Sequence, residues 1–593
     1  MTGTVAQLEN ALEPNQLASA ISNMYTTYKD GRSTWEEETA EVRDYIFATD
    51  TVTTSNSTLA WSNKTHVPKI TQIYDNLKAN YMSALFPHDD WLTWEAGSSD
   101  AAEQGKRKAV LGYMKNKLRE GNFYTICSAL IDDYIMMGNA IADVEFIKES
   151  KVDETTGETI AGFVGPRVVR TSPYDIAFNP LSQNFKDTPI IRRTVWTYSE
   201  FKRYVNERPE DQKWLEEGIT KLEERRNLGQ AYSARDFQRA KAMQMDGFGS
   251  MHKYLNSGTI EVIELIGDIY DPVSDTFLKD RIVTIADRSV VLRNEQNPSW
   301  LGRSSTHHVG WRERPDNLWA MSPLANIVGL QYRINHLENS KADAIDLNIF
   351  PPIKVKGEVE DYEWAPGAEI QVDENGDVEL LSPDLTALAV DQEIQFLMDQ
   401  MELFTGAPRE AMGVRTPGEK TAFEVQSLVT AASRIFQEKI RNFEINLLEP
   451  LLNSMLEVAR RNVDGSDTIR VLEDAEGIEA FLTVTKEDIS AAGKLRPIGA
   501  RHFARQAQLV QNLIGLSQTP IWNMIQPHMS RTATAKLAEQ ILGLEKFDLF
   551  GDNKGLLEDA ESAQLAQELQ NQLAQGDEQG EQRVEEEPVG PAG

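Results

Sequence analysis

The sequence predicts an α+β protein that is mainly helical. Long stretches place apolar residues three and four positions apart, as Leu17, Ile21 and Met24 do, and this spacing is typical of a helix with one buried face. Shorter stretches alternate apolar and polar residues, as AIADVEFI does at 140–147, and this pattern indicates strands. With 593 residues, the chain is long enough for several cores or for one elongated multi-domain subunit.

Charge and composition exclude several classes of protein. The formal net charge of −32 argues against DNA affinity over the whole surface, because DNA binders neutralise phosphates with Lys and Arg. An acidic surface repels DNA at short range, which is either a liability or an advantage where DNA must slide without sticking. The single cysteine, Cys127, excludes a disulfide within the chain and fits a reducing, cytoplasmic setting. The N-terminal stretch has no signal-peptide pattern, and no stretch approaches the roughly 18 apolar residues of a membrane span.

We expect the N-terminal part, residues 1–321, to mix helices and strands. Apolar periodicity predicts helices over 15–50, 67–86, 101–119 and 122–137. After a break at Gly138-Asn139, alternation predicts a strand, a turn, a returning strand, and further strands within 187–196 and 259–294. The charged stretch 198–245 is predicted to be helical, and its portion 223–244 is polar on most faces, so we expect that portion to be exposed to solvent.

Two predicted helices enclose a small β-rich insertion at 348–385. Ser322 and Pro323 begin the first helix, 322–347, because Ser caps helices and Pro is tolerated in the first turn. Asn375-Gly376 stands between alternating runs, which is the strongest local signal of a β-hairpin. The surrounding DENGD resembles half of a calcium loop but lacks the bidentate Glu, so the hairpin is preferred. The second helix covers 386–404.

A basic loop at 405–420 follows the second helix and leads into a third. Thr421 and Glu424 form a capping box, which specifies where this long helix begins. We expect the helix to bend near Pro450 and short strands to follow it, within 421–496. A helical segment is predicted at 497–556, and the acidic tail, 557–593, is predicted to be largely disordered.

No catalytic constellation stands out in the sequence. There is no GxxxxGK[ST], GxSxG, HExxH or CxxC motif, and GFGSMHK at 247–253 resembles a phosphate loop only faintly because it does not follow a strand. His307 and His308 are adjacent, and neighbouring residues of a strand face opposite sides, so we expect structural roles for both. We therefore predict no enzyme activity, no cofactor and no metal site.

Five segments, in order, resemble the portal proteins, or head-to-tail connectors, of short-tailed, podovirus-type bacteriophages. The most specific is GEKTAFEVQSLV at 418–429, where Gly-Glu-x-Thr-Ala-x-Glu opens the long helix. The others are YMSALFPHDDWLTWE at 81–95, MMGNAIADVEF at 136–146, SPLANIVGLQYRINHLENSKADAI at 322–345, and LRPIGARHFARQAQLVQNLIGL at 495–516. Together they span most of the chain from about 20 to 550.

The resemblance implies a portal-type fold of wing, stem, clip and crown, assembled as a ring, usually of twelve subunits, at one capsid vertex. DNA would be packaged, retained and later ejected through the central channel. The implied division is 1–321 for the wing, 322–347 for the first stem helix, 348–385 for the clip, 386–404 for the second stem helix, 405–420 for the channel (tunnel) loop, 421–496 for the long wing helix and following strands, and 497–556 for the crown. The tail, 557–593, matches no part of the family pattern.

The resemblance also implies partners and a location. The terminase large subunit, a separate ATPase, would dock on the clip, and tail adaptor or head-completion proteins would replace it later. Major capsid and scaffolding proteins would contact the wing. The protein would reside at the head–tail junction of the virion after assembly in the host cytoplasm, with no membrane partner.

Basic side chains are the candidate contacts of the channel with double-stranded DNA: Arg409, Arg415 and Lys420 in the loop, and Arg333 and Lys341 on the first stem helix. Each could equally be a solvated surface charge or part of an inter-subunit salt bridge. Candidate partner contacts of the clip are Lys354, Lys356, Tyr362 and Trp364, with burial in the β insertion as the alternative. Two other functions stay open: a scaffold or adaptor without a channel, and an unrecognised carboxylate-based hydrolase.

Overall fold

The computed structural model describes residues 14–47, 62–86, 91–96, 106–152, 159–207, 213–227, 250, 258–271, 275–299, 304–349, 351–357, 375–381, 389–405, 435–463, 466–473, 478–490 and 493–497. The chain divides into two compact units, one holding 1–469 and 483–500, the other 470–482 and 501–593. In the second unit the described residues are 470–473 and 478–482, and all of them lie in strands.

The helices are α1 (Pro14–Asp30), α2 (Ser33–Phe47), α3 (Lys69–Leu85), α4 (Arg107–Glu120), α5 (Phe123–Met136), α6 (Tyr198–Glu207), α7 (Glu216–Asn227), α8 (Val328–Ile349), α9 (Asp391–Thr405), α10 (Glu449–Asn462) and α11 (Lys486–Ile489). The predicted helices over 67–86 and 122–137 are confirmed as α3 and α5. The first and second helices around the insertion correspond to α8 and α9. α8 begins later than predicted because a 3-10 turn, Ala325–Ile327, precedes it, and α9 begins at Asp391.

The strands are β1 (Leu92–Ala96), β2 (Asn139–Val152), β3 (Thr159–Arg170), β4 (Ile176–Ala177), β5 (Ile190–Thr197), β6 (Thr259–Asp271), β7 (Thr276–Ala286), β8 (Val290–Gln296), β9 (His307–Gly310), β10 (Arg312–Arg314), β11 (Asn317–Met321), β12 (Ile353–Lys356), β13 (Asp377–Leu380), β14 (Ser466–Glu473), β15 (Ile478–Thr485) and β16 (Gly493–Pro497). This mixture of helices and strands agrees with the predicted α+β class. One sheet has three strands in the order β3-β2-β9, and another has five in the order β4-β5-β6-β7-β8. Two-stranded sheets are formed by β1-β16, β10-β11, β12-β13 and β14-β15.

Helices cover both faces of the five-stranded antiparallel sheet. Leu17 of α1 belongs to one core cluster with Ile263 of β6, and Phe201 of α6 and Leu222 of α7 belong to another with Val262. Successive residues of a strand point to opposite faces, so Val262 and Ile263 serve different clusters. This explains why β6 is apolar at both residues rather than alternating.

A half-buried arginine joins the five-stranded sheet to the three-stranded sheet. Arg192 of β5 donates to Asp143 and Glu145 of β2 at 3.2 and 2.7 Å, and to Glu264 of β6 at 3.0 Å. Burial raises the pKa of Asp143, and the positive charge of Arg192 opposes that rise. One guanidinium thus compensates several carboxylates, and removing it would leave buried charges without compensation.

The single helix predicted over 15–50 is wrong, because the chain turns between α1 and α2 at Gly31 and Arg32. Arg32 is only 2% exposed. Its guanidinium donates to the carbonyls of Pro173 and Tyr174, both at 2.6 Å, and lies 4.9 Å from the ring centre of Trp319. A continuous helix would not let this side chain reach carbonyls about 140 positions away, so tertiary contact overrides helical periodicity here.

The helix before Pro450 contains a π-helical turn. Residues 435–443 are helical, the turn covers Glu444–Leu448, and α10 follows directly. Pro450 lacks an N–H, so the usual bond to the carbonyl four residues earlier is missing. At the same place the N–H of Glu449 bonds the carbonyl of Glu444, five residues back. A π-turn thus interrupts the regular helix just before Pro450, where the sequence predicts a bend.

Among the residues that the structure describes, no helix is both long enough and apolar enough to cross a membrane.

Candidate functional site

α8 and α9 form a helical pair joined by the insertion that contains β12 and β13. The two strands pair antiparallel, from Ile353 opposite Leu380 to Lys356 opposite Asp377. Lys341 of α8 donates to Asp391 of α9 at 2.6 Å, which ties the helices together near the insertion. We take this pair as the candidate functional site because the sequence-derived candidates that the structure describes lie here: Arg333, Lys341, Lys354 and Lys356.

An extended segment, residues 62–68, lies along α8, and we call it the strap. It has neither helix nor strand, and it leads directly into α3. Its backbone polar groups therefore need partners from elsewhere. α8 supplies them from Gln331, Asn335 and Asn339, which we call the amide stripe. These residues are spaced by four, so they share one face of the helix, and they are 0%, 2% and 7% exposed.

Asn339 pairs with the strap as a neighbouring strand would. The N–H of Thr65 donates to Asn339 Oδ1 at 2.7 Å, and Asn339 Nδ2 donates to the carbonyl of Thr65 at 3.1 Å. One turn further on, Asp343 Oδ1 accepts from both the backbone N–H and the side-chain amide of Asn63, at 2.7 and 2.9 Å. A planar amide offers one donor and one acceptor side by side, which matches the two backbone groups of an extended residue.

The other two amides continue the same pattern toward α3. Asn335 Oδ1 accepts from the N–H of Val67 at 3.1 Å, and Gln331 Nε2 donates to the carbonyl of Val67 at 2.6 Å. Gln331 Oε1 then accepts from the N–H of Ile70 at 3.1 Å, inside the first turn of α3. That N–H has no partner within its own helix, so α8 satisfies part of the N-terminus of α3.

His66 completes the contact, and the orientation of the Asn335 amide determines which nitrogen of the His66 ring carries the proton. Its Nδ1 lies 3.0 Å from Asn335 Nδ2, while Asn335 Oδ1 is occupied by the N–H of Val67. Nδ2 can only donate, so His66 Nδ1 accepts and the ring is neutral with its proton on Nε2. Burial lowers the pKa of His66 below its usual value, which agrees with a neutral ring.

A buried ion pair connects the base of the strap to α9. Lys69, the first residue of α3, pairs with Glu402 of α9, and both side chains are 5% exposed. Lys69 Nζ also donates to Gln72 Oε1 at 2.9 Å. The strap and the start of α3 thus contact both helices of the pair, α8 through amides and α9 through a charge.

The structure places the sequence-derived candidates unevenly. Arg333 is exposed on α8, whereas Lys341 is engaged with Asp391. Lys354 is exposed and pairs across the strands with Glu379 at 2.9 Å, and Lys356 is exposed on the same strand. Five candidates lie outside the described residues: Tyr362, Trp364, Arg409, Arg415 and Lys420.

The predicted hairpin around Asn375-Gly376 is only partly visible. Asn375 lies in a turn and β13 follows it directly. The strand partner of β13 among the described residues is β12, and the run around Ile370 and Val372 that was predicted to pair with it lies outside them. The capping box of Thr421 and Glu424, the segment 497–556 except for Pro497, and the acidic tail also lie outside the described residues.

His307 and His308 have structural contacts on opposite sides of β9. His307 Nε2 lies 2.8 Å from Ser454 Oγ, and His308 Nε2 lies 2.9 Å from Asn139 Oδ1. Burial lowers the pKa of His308 to about 4, so its ring is neutral at pH 7. Within the described ranges no group of three or more His, Cys, Asp or Glu residues could hold a metal ion.

The strap was not predicted from the sequence. The signal was available in part, because Gln331, Asn335 and Asn339 are amides at a strict spacing of four. Three buried amides on one helical face predict a polar partner. The partner itself lies more than 260 residues away in sequence, so no local pattern could identify it.

Residues 18–157 match the family described as bacteriophage head to tail connecting protein. The match covers roughly a quarter of the chain, including the strap, and it supports the recognition of a portal, or connector, protein. That family is structural and is not known for enzymatic activity. A comparison with curated proteins found no match.

Proposed function

We propose that this protein is the portal of a bacteriophage: a ring at one capsid vertex through which DNA is packaged, retained and ejected, and to which the tail attaches. The match of residues 18–157 to the connector family carries the proposal. The helical pair supports it, because α8, the β12–β13 insertion and α9 occur in the order that a stem and clip require. We expect twelve copies in the ring, with the domain division given by the resemblance.

The charge distribution suits a channel that DNA crosses without sticking. A net charge of −32 per copy repels the phosphate backbone from the wall. A few basic side chains would then make brief contacts that salt weakens. Lys341 is neutralised by Asp391, so we expect the loop residues Arg409, Arg415 and Lys420 to contribute more to such contacts.

The insertion is the proposed docking surface for the terminase large subunit and, later, for tail adaptor proteins. Lys354 and Lys356 are both exposed on β12, and Val355 between them is 43% exposed. A strand that exposes residues of both faces is available to a partner. We assign capsid and scaffolding contacts to the N-terminal region, 1–321. The proposal involves no catalytic step and no cofactor.

The test is negative-stain imaging of the purified full-length chain, together with native mass spectrometry. The expected result is a closed ring with a central hole and a mass that is a whole multiple of one copy. A chain that stays monomeric under all conditions would overturn the proposal. A partner-binding but ring-free chain would favour an adaptor, and hydrolysis lost on a single carboxylate substitution would favour an enzyme.

A further inference from the structure

α9 exposes large apolar side chains on the side that faces away from its core. Phe396, Leu403 and Phe404 are 57%, 59% and 57% exposed. Phe396 and Leu403 are seven residues apart, about two turns, so they lie on one side of the helix. Ile394 and Met401 are buried, and each precedes one of them by two residues, about 200° around the helix. The exposed pair is therefore nearly opposite the buried face.

The charges around this exposed side are all negative. The sequence of α9, Asp391–Thr405, contains four acidic residues and no Lys or Arg. Glu393 and Asp399 are exposed beside Phe396, and Asp399 accepts a hydrogen bond from Gln395 at 3.0 Å. We call Glu393, Phe396, Asp399 and Leu403 the outer face of α9. It is apolar at its centre and acidic at its edge.

α8 exposes a face that carries one positive charge, that of Arg333. Tyr332 is 38% exposed, Arg333 is exposed, and His336 is half-buried beside them. Lys341 marks the side of α8 that faces α9, since it pairs with Asp391. Tyr332 precedes Lys341 by nine residues. At about 100° per residue, the two side chains therefore lie on opposite sides of the helix. We call Tyr332, Arg333 and His336 the outer face of α8, and its centre points away from α9.

We propose that the outer face of α9 in one copy packs on the outer face of α8 in the next copy of this chain. The proposal rests on the proposed function and adds its subunit contact. Two different faces in contact make a heterologous interface, which closes into a ring when the rotation is right. Copies that each carry −32 repel one another, so a contact of opposite local charge is needed to bring them together.

The contact assigns a role to Arg333. The sequence alone leaves it open between a DNA contact and an inter-subunit ion pair, and charge complementarity favours the second. Arg333 would pair with Asp399 of the neighbouring copy, while Tyr332 would cover Phe396. Aromatic residues and Arg are enriched in protein interfaces. Covering the exposed ring of Phe396 would remove its apolar surface from water, which favours association.

The test uses two charge reversals at exposed residues, where substitutions usually change the stability of the isolated chain little. Arg333→Glu and Asp399→Lys each place like charges in every contact, so each should lower the ring fraction at a fixed concentration by roughly tenfold or more. When the two variant chains are mixed, an alternating ring pairs Glu with Lys and Arg with Asp. Mixing should therefore restore rings with an even number of copies, and the double variant should form rings alone.

An apolar substitution tests the other half of the contact. Phe396→Ser should lower the ring fraction in the same way, because it removes the centre of the outer face of α9. Phe277→Ser is the matched control, since Phe277 of β7 is 54% exposed and lies outside both faces. Native mass spectrometry reads the number of copies of each chain in every ring.

The outcomes separate this contact from the function on which it rests. Wild-type rings together with unaffected variants, or no recovery on mixing, would overturn the contact and leave the portal function standing. A wild-type chain that never forms rings would overturn both. Protection of a Phe396→Cys variant from maleimide in the monomer would show that the same chain covers this face. Cys127 is buried, so it contributes little background.

Discussion

Asn339 shows how one side chain can take the place of a neighbouring strand. It accepts from and donates to the backbone of Thr65, and it is 7% exposed. Its neighbour Ser340 is exposed and faces away from the strap. The strap contributes little apolar surface of its own, so its attachment to α8 depends on these polar bonds being complete.

We expect Asn339→Ala to lower the free energy of unfolding by about 1–3 kcal/mol, because it leaves the N–H and carbonyl of Thr65 without partners. Urea unfolding followed by circular dichroism measures the change. Ser340→Ala is the control one residue away, and it should change the free energy of unfolding by less than about 0.5 kcal/mol. Equal midpoints for the two variants would mean that water replaces the amide at no cost.

The ion pair of Lys69 and Glu402 should behave differently from that of Lys341 and Asp391. The first is buried on both sides, so Glu402→Gln should cost about 3–5 kcal/mol by leaving a buried ammonium without its counter-charge. The second has Asp391 69% exposed, so Asp391→Asn should cost at most about 1 kcal/mol. Thermal unfolding of both variants compares them directly, and similar losses would contradict the burial argument.

At the level of elements, local patterns identified helices better than their connections. Periodicity placed α3 and α5 to within two residues, because each buries one continuous apolar face. It failed at Gly31 and Arg32, where the turn serves carbonyls about 140 residues away. It also could not identify β12 as the partner of β13, because pairing across an insertion leaves no periodic signal.

The candidate site was predicted in composition but not in contacts. Charge alone selected Arg333 and Lys341 on the same helix, yet the structure leaves the first exposed and pairs the second. That difference depends on which face of α8 meets α9, and the weak amphipathicity of α8 does not reveal it. The strap was invisible for the same reason, since a polar helix face gives no hydrophobic signal.

The stretch 405–420, which the sequence predicts to be a loop between α9 and a long helix, carries the next prediction. Deleting residues 409–417 should leave ring assembly intact, because neither α8 nor α9 loses a residue. The deletion should impair packaging or retention of DNA, since it removes Arg409 and Arg415 from the proposed channel. Measuring packaged genome length in assembled particles checks this. Particles that package and hold full-length DNA would reduce the loop to a passive connection.

For the molecule as a whole, the net charge of −32 opposes assembly. Repulsion between copies acts over the Debye length, which falls from about 10 Å at 0.1 M salt to about 3 Å at 1 M. Contacts at a partly buried interface are screened much less. Raising the salt concentration should therefore favour ring formation, whereas it should weaken any contact with DNA.

The acidic tail allows this balance to be tested without touching the described elements. Changing its six carboxylates between Asp577 and Glu587 to amides reduces the net charge from −32 to −26. If long-range repulsion limits assembly, this variant should form rings at lower salt than the wild type, as measured by mass photometry across a sodium chloride series. A control that changes Gln575, Gln579 and Gln582 to Asn should leave the salt dependence unchanged. Rings that dissociate as salt rises, in both variant and wild type, would instead mean that ion pairs between copies outweigh the repulsion, and that contacts of the kind proposed for Arg333 and Asp399 dominate the assembly.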